Sequence, residues 1–421
     1  MTIDRDPGQA VVISGIGLAT ALGSTRAATW AGIRAGRSGA AWLDRPGLEP
    51  GFAGFPLEPG PWSDHPEPAL GLLDQVVAEA VLDAGLLGGK LDRDRVGVLV
   101  GLSKGGLRGL AQAERSTRPP GDDHSLAEAW GRAWPSAGAS AISGKYGWRG
   151  PSIAPIAACA TGLVAALQGL DLIRRGVCDV VLAGSVDASL EPLVLGAFRR
   201  MKVLARVDGP PNQAVRPWSR DRSGFLVGEG GAVLVLERLG AVRDRGGTAY
   251  AELAGGAIGS DAFHETGLDP DPTGFARLIA RALRDASVAP EQIAAVNVHG
   301  TATGPNDPLE CRAIRRAFGP WSDRLACSAN KAQVGHLLGA AGSVELAITA
   351  LSVLDGFVPP TLNLDDPDPA CDLDGTPHQG RSLAIPAALK LSLGFGGHLA
   401  AAVLKRVASS SSPLKPGDSH A

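Results

Sequence analysis

The sequence predicts an α/β fold of layered sheets and helices, and three observations carry that prediction. Short runs rich in Val, Leu and Ala alternate with longer stretches of helical periodicity. Fifty-seven glycines punctuate the alternation. The apolar runs lack the in–out pattern of a half-exposed strand, so both of their faces are expected to be covered.

In chain order, "VVISGIGLATALG" (Val11–Gly23) is a buried first strand and its turn. Its glycines, with the acidic residues before it, argue against a signal peptide. "RVGVLVG" (Arg95–Gly101), "DVVLAGS" (Asp179–Ser185), "GAVLVLE" (Gly231–Glu237), "AAVNVHG" (Ala294–Gly300) and "ALKLSLG" (Ala388–Gly394) are the further strands. "GFARLIARALRDA" (Gly274–Ala286) repeats apolar residues at helical spacing with charge on its other face. "LERLGAVRDRGGTAY" (Leu236–Tyr250) connects an N-terminal to a C-terminal half, and no sequence repeat relates the two. The Pro-rich stretches Leu43–Pro68 and Asp365–Gly380 are expected to be ordered surface loops. The Ser/Pro-rich end, residues 408–421, is expected to be a disordered tail.

With 44% hydrophobic and 20% charged residues and a net charge of −3, the composition is that of a globular protein. The near-neutral balance gives no reason to expect nucleic acid or an anionic membrane as partner, and no run is expected to be long enough to cross a bilayer. The five cysteines are scattered with no CxxC pair. That spacing suggests reduced thiols and a cytoplasmic location.

Chemistry concentrates in four places. "PSIAPIAA" is extended in character, and from Cys159 onward Leu163, Ala166, Leu167, Leu170 and Ile173 follow helical spacing to a stop at Gly176. Cys159 thus sits at a strand-to-helix junction, where free N–H groups and the helix dipole favour a thiolate. An inert buried cysteine fits the same segment. "VNVHGTATGPND" puts His299 just after a strand, where side chains emerge into a crevice. "SANKAQVGHLLGAAGSVELAI" puts Lys331 and His336 before another helix, and "LSLGFGGHLA" runs a strand into a GFGG turn around Phe395. A zinc site from Cys159, His299 and His336 lacks any close ligand pair, so no metal is expected. A Cys–His hydrolase would leave the second histidine and Lys331 unexplained. "SGIGLATALG" (Ser14–Gly23) lacks the third glycine of a dinucleotide fingerprint.

Together "AACATG", "VNVHGTATGPND", "NKAQVGHLLGAAG" and "LGFGG" resemble the β-ketoacyl-acyl-carrier-protein synthases, most of all the elongating enzymes with a Cys–His–His site. The resemblance runs through "RPWSRDRSGFLVGEGGAVLVLE" (Arg216–Glu237) and covers nearly the whole chain. It implies a thiolase-like five-layered αβαβα fold of two similar halves, residues 1–245 with the cysteine and 246–407 with the histidines. It also implies a decarboxylative Claisen condensation between a carrier-bound acyl group and malonyl-acyl carrier protein, in a fatty-acid or a specialised polyketide or lipid pathway.

Carried over, Cys159 is the nucleophile, and the N–H groups of Cys159 and Phe395 form the oxyanion hole. His299 and His336 donate to the malonyl thioester oxygen, while Lys331, paired with Glu345, fixes that region. Thr301 and Thr303 meet the phosphopantetheine arm of the carrier, which is part of the substrate rather than a bound cofactor; Gly396 is a further substrate-binding residue, and Asp307 orders the loop. Acyl carrier protein is the implied partner, in a homodimer or a heterodimer with a related subunit.

The sequence also departs from the family. The usual basic docking stretch is replaced by "PGPWSDHPEPALGLLDQ", leaving Arg199, Arg200, Lys202 and Arg206 of "FRRMKVLAR" as docking candidates. His398 and Leu399 follow GFGG where Thr and Asn are common. Small residues in Trp134–Ser152 are expected at the acyl pocket, implying an unusual acyl preference. The rival readings are a non-catalytic chain-length-factor-like subunit, which would lack the cysteine, and an acyltransferase that does not decarboxylate. A thiolase would need a second catalytic cysteine, and Cys371 in its Pro/Asp-rich loop is a poor candidate.

Overall fold

The computed structural model describes residues 7–88, 91–109 and 123–407; the expected tail, 408–421, lies outside them. Its main sheet has ten strands: β1 Val11–Ala19, β2 Val96–Gly101, β3 Ser152–Ile153, β4 Val180–Asp187, β5 Gly230–Arg238, β6 Ala251–Ser260, β7 Ile293–Asn297, β8 Ala326–Ser328, β9 Ala387–Gly394 and β10 His398–Lys405. Eleven α-helices occur among the described residues. They are α1 Arg26–Arg34, α2 Pro68–Asp83, α3 Asp123–Ala133, α4 Ala137–Tyr146, α5 Thr161–Arg174, α6 Pro192–Arg200, α7 Leu239–Asp244, α8 Thr273–Asp285, α9 Asn306–Phe318, α10 Lys331–Val334 and α11 Ala341–Asp355.

The two halves that show no sequence repeat share one topology. Across the sheet the first five strands run 3-2-4-5-1 and the last five 8-7-9-10-6, the same order with five added. Pair orientations match as well: β1–β5 and β5–β4 are antiparallel and β4–β2 and β2–β3 parallel, like β6–β10, β10–β9, β9–β7 and β7–β8. The halves join where Val12 and Ile13 of β1 face Glu252 and Ala251 of β6.

Helices α2 and α4 cover one side, α8 and α9 the other, and α5 and α11 lie in the middle against strands of both halves. That gives the five expected layers. The sequence dictates which helices lie outside: α8 buries Phe275, Leu278, Ile279, Ala282 and Leu283 and turns Arg277, Arg281 and Arg284 outward. α11, by contrast, is buried from Ala341 through Val353. The middle helices touch through glycine: a Cβ on Gly162 would stand 2.5 Å from Ser343 N, and one on Gly342 2.6 Å from Leu163 N.

Three expectations need correction. A run does approach membrane-spanning length: Leu338–Asp355, 18 residues of mean hydropathy 1.4, is a core helix with its turn, 89% buried. Residues 43–68 do not stay on the surface, because Phe55 is fully buried and lies under Gly335. The helix after Cys159 begins at Thr161, preceded by a 3-10 turn at Ala158–Ala160.

Candidate active site

Cys159 is held by local geometry. Ala158 has φ +45°, a left-handed conformation that costs a non-glycine residue about 1 kcal/mol. Thr161 offsets it by accepting the Ala157 N–H at 2.9 Å and donating to the Ala158 carbonyl at 2.7 Å. Leu338 has φ +48° in the matching turn before α11, so the two halves present equivalent corners to one cleft. The end of β9 closes the corner. A Cβ on Gly394 would lie 2.6 Å from Ala157 O and 3.0 Å from Cys159 N, so only glycine permits this approach. The Phe395 N–H faces the Cys159 sulfur and favours its charged form.

The thiol is not the dipole-stabilised thiolate that a helix start favours. It is buried, and burial pushes its pKa up to about 11, against the opposing pull of the Lys104 and Lys331 charges and the Phe395 N–H. The resting group is the thiol.

The histidines come from the second half. His299 follows β7, and Glu310 on α9 fixes its loop by accepting the N–H groups of His299 and Gly300 at 2.6 and 2.9 Å. Burial, only partly offset by these two donors, raises Glu310 to about 7. His336 is held by its backbone, its N–H on Leu226 O and its carbonyl accepting Gly228 N–H. The two rings stand 5.4 Å apart at 82°, and Phe225 packs its edge against His336 at 4.7 Å. Burial first, and then the Lys331 charge, holds both imidazoles well below their usual pKa, so both are neutral.

Lys331 sets the His299 tautomer. Its ammonium donates to the His299 carbonyl and lies 3.4 Å from His299 Nδ1. Nδ1 therefore accepts, and the ring proton sits on Nε2. Lys331 is fully buried and pairs with Glu345 Oε1 at 2.6 Å. Glu345 Oε2 lies 2.7 Å from the equally buried Lys390. Sequence reading missed Lys390; a lysine inside the apolar strand "ALKLSLG" was the available signal.

A cleft of about 420 Å³ brings together Cys159, His299, His336, Thr301, Thr303 and Phe395. Phe198 and Phe225 extend an aromatic wall to Phe395, with ring centroids 5.6 and 6.4 Å from Phe198; of these three rings, sequence reading named Phe395 alone. The Thr301 and Thr303 hydroxyls bond each other at 2.9 Å. Buried Asp307 accepts the Trp218 N–H at 2.9 Å and an Asn306 amide N–H at 3.1 Å, tying the loop to the first half.

Some expected residues lie elsewhere. Gly396 is outside the cleft lining; it takes φ +84° in the turn between β9 and β10, and its N–H donates to Glu265 O at 2.7 Å. No residue of 134–152 lines the cleft; Ala141, Ile142 and Lys145 face a separate groove with Trp62 and Gln75. Of the docking candidates only Lys202 lines the cleft. Exposed Arg199 lies 3.6 Å from Glu49 and over the Phe52 ring, exposed Arg200 ends α6, and Arg206 lines a hollow with Asp208 and Asp221.

A thiol facing a backbone N–H, with two neutral imidazoles and a buried ammonium behind them, suits acyl transfer followed by stabilisation of an enolate. The family comparison decides its lineage: the N-terminal domain of β-ketoacyl synthase matches residues 64–241 and the C-terminal domain residues 250–365. The chain belongs to the β-ketoacyl synthase family. The 3-oxoacyl-[acyl-carrier-protein] synthase 2 of Coxiella burnetii is 34% identical, covering 94% of this chain and 98% of its own. The tetracenomycin polyketide synthase ketoacyl synthase alpha subunit of Streptomyces glaucescens is 37% identical, covering 94% and 97%. Among solved structures, a type II polyketide ketosynthase bound to its acyl-carrier protein and a hexaketide superposes with a TM-score of 0.87 at 31% identity, covering 94% of this chain and 99% of that one. The synthase's five cysteines are all free, and outside Cys159 the buried Cys311, Cys327 and Cys371 lie away from the cleft.

Proposed function

We propose that this synthase catalyses decarboxylative condensation of a carrier-bound acyl group with malonyl-acyl carrier protein, giving the 3-oxoacyl carrier thioester. The observation that carries the reading is the meeting of Cys159, the Phe395 N–H and two neutral imidazoles in one cleft.

In the first half-reaction the Cys159 sulfur attacks the incoming thioester carbonyl, whose developing oxyanion is met by the N–H groups of Cys159 and Phe395. The carrier thiol leaves with the proton that Cys159 gives up, so this half-reaction neither consumes nor releases acid. In the second, the malonyl thioester oxygen lies between His299 Nε2–H and His336 while CO2 departs. Neutral donors suit a charge that exists only in the transition state and the enolate. The enolate carbon attacks the acyl-cysteine, and the expelled thiolate, with a pKa near 11, takes up a proton. Lys331, anchored by Glu345, holds the His299 tautomer. The phosphopantetheine arm enters past Thr301 and Thr303, and the carrier docks over the Arg199–Arg206 stretch with Lys202 at the cleft mouth.

The assembly proposed is a dimer through β3. This strand ends the sheet with an open edge, and Ile153 and Ile156 beside it are 44% and 51% exposed. A second copy or a related subunit would cover them, the latter in keeping with the alpha-subunit name of the Streptomyces relative.

The test is a coupled assay with an acyl-carrier panel and malonyl-carrier, measuring CO2 and 3-oxoacyl product together. Equal amounts of both support the reading. Cys159 acylation without CO2 would mean an acyltransferase, and neither would mean a silent subunit.

A further inference from the structure

Behind the histidines two buried ammoniums share one carboxylate, and the condensation uses one of them. Lys331 acts on His299, whereas Lys390 does not line the cleft. The strand explains where Lys390 sits. Leu389, Leu391 and Leu393 of β9 pack into the outer core with Phe275 and Ile279 of α8, so the alternation turns Lys390 toward the middle layer and α11. There it is fully buried, where an ammonium without a partner is costly. It donates to the Leu391 carbonyl and forms an ion pair with Glu345 Oε2 at 2.7 Å. The other oxygen, Oε1, accepts from Lys331 at 2.6 Å. Lys331 in turn donates to the His299 carbonyl and stands 3.4 Å from His299 Nδ1. An unbroken line of charged contacts thus joins Lys390 to the His299 ring. A second link runs beside it: Lys390 is in register with Asn297 of β7, two residues before His299. The Asn297 amide donates to Asn330 Oδ1 at 2.7 Å, and Asn330 immediately precedes Lys331.

Resting on the condensing-enzyme reading, we propose that Lys390 is a positioning residue for the decarboxylating half-reaction, acting through Glu345 to hold Lys331 against His299. The two oxygens of a carboxylate are rigidly linked, so an ion pair at Oε2 sets where Oε1 points. With Oε2 held by Lys390, Oε1 meets Lys331 in one place, and the Lys331 ammonium keeps its other donors for His299. Without Lys390 the carboxylate turns freely and offers both oxygens to Lys331, drawing the ammonium off His299. The ring proton is then no longer confined to Nε2, the atom that meets the malonyl thioester oxygen. The loss falls on rate rather than on malonyl binding, because the enolate charge that Nε2–H stabilises is absent from the ground state. The first half-reaction uses the N–H groups of Cys159 and Phe395 and is spared.

The test is a double-mutant cycle read on both half-reactions. Wild type, Lys390→Met, Glu345→Gln and the double variant receive the acyl-carrier donor that acylates wild type fastest, then malonyl-carrier. Intact-mass spectrometry times Cys159 acylation, and CO2 release gives kcat and KM for malonyl-carrier. Lys390→Met is expected to lower kcat about 10-fold, the scale of a donor displaced by a fraction of an ångström. Its KM and its acylation rate are expected to stay within about threefold of wild type. In the Glu345→Gln background the same change is expected to cost less than about threefold, since the link it acts through is already broken. Methionine leaves one lysine for one carboxylate and keeps the charges balanced; Lys390→Leu gives the same readout should the methionine variant fail to fold. Equal losses in acylation and CO2 release mean a purely structural role and overturn the proposal. So do an unchanged kcat, a loss confined to KM, or a 10-fold cost that persists in the Glu345→Gln background; each leaves the synthase reading standing. A wild type that no donor acylates, or that releases no CO2, overturns both.

Discussion

Glu345→Gln is the most informative single change, because one carboxylate neutralises two fully buried ammoniums at 2.6 and 2.7 Å. The glutamine fits the space but leaves Lys331 and Lys390 without a counter-ion. Removing one partner of a buried pair costs about 3–5 kcal/mol. With an unfolding entropy of about 2.1 cal/mol/K per residue, a chain of 421 residues loses about 3–6 °C of Tm at neutral pH. The deficit carries a pH signature. Burial, against the Glu345 charge, already holds Lys390 below its ordinary pKa, so the unfolded chain binds more protons and stability rises with pH across that interval. Without Glu345 the folded-state pKa falls further, and the gain starts at lower pH. Thermal melts of both proteins at pH 7 and 9.5 measure this, with the gap expected to narrow at 9.5. Lys390→Met, which leaves one lysine for one carboxylate, is expected to shift Tm by less than half as much. A Glu345→Gln melt within 1 °C of wild type at both pH values would refute the argument.

Other expectations follow from the same geometry. With a thiol pKa near 11, alkylation of Cys159 by iodoacetamide should accelerate about tenfold per pH unit from 7 to 10; a flat profile above pH 7 would mean a stabilised thiolate. Gly394→Ala drives a Cβ to 2.6 Å from Ala157 O and is expected to cost 1–3 kcal/mol of stability. It should also slow Cys159 acylation at least tenfold, since the Phe395 N–H moves with the strand. His299→Ala should cut CO2 release from malonyl-carrier by about 10²–10³-fold while leaving the cysteine acylated at a rate within threefold of wild type.

The sequence made the strands and the Cys–His–His–Lys set legible because each is a local pattern: an apolar run ending at a reactive residue, or a glycine-bounded turn. Five layers and two equivalent halves came through the resemblance, since the halves repeat topology without repeating residues. Burial did not come through. The junction at Cys159 looked like a thiolate site because a helix start is visible locally, whereas the burial that outweighs it belongs to the folded molecule, in which Gly394 of β9 closes on Ala157 and Cys159 from far along the chain. The partner of Lys390 did not come through for the same reason: the lysine stands out within its apolar strand, but Glu345 meets it only in three dimensions. The small residues of 134–152 looked like pocket lining, yet α4 packs against β2 and faces a groove of its own.

The central claim is that Cys159 carries the acyl chain between two carriers. Intact-mass spectrometry of wild type and Cys159→Ala, first with acyl-carrier and then with malonyl-carrier, tests it most directly. An acyl mass gain is expected in wild type alone, disappearing on malonyl-carrier addition as the 3-oxoacyl carrier product forms. A gain of equal size in Cys159→Ala, or an acyl-enzyme that malonyl-carrier leaves untouched, would contradict it.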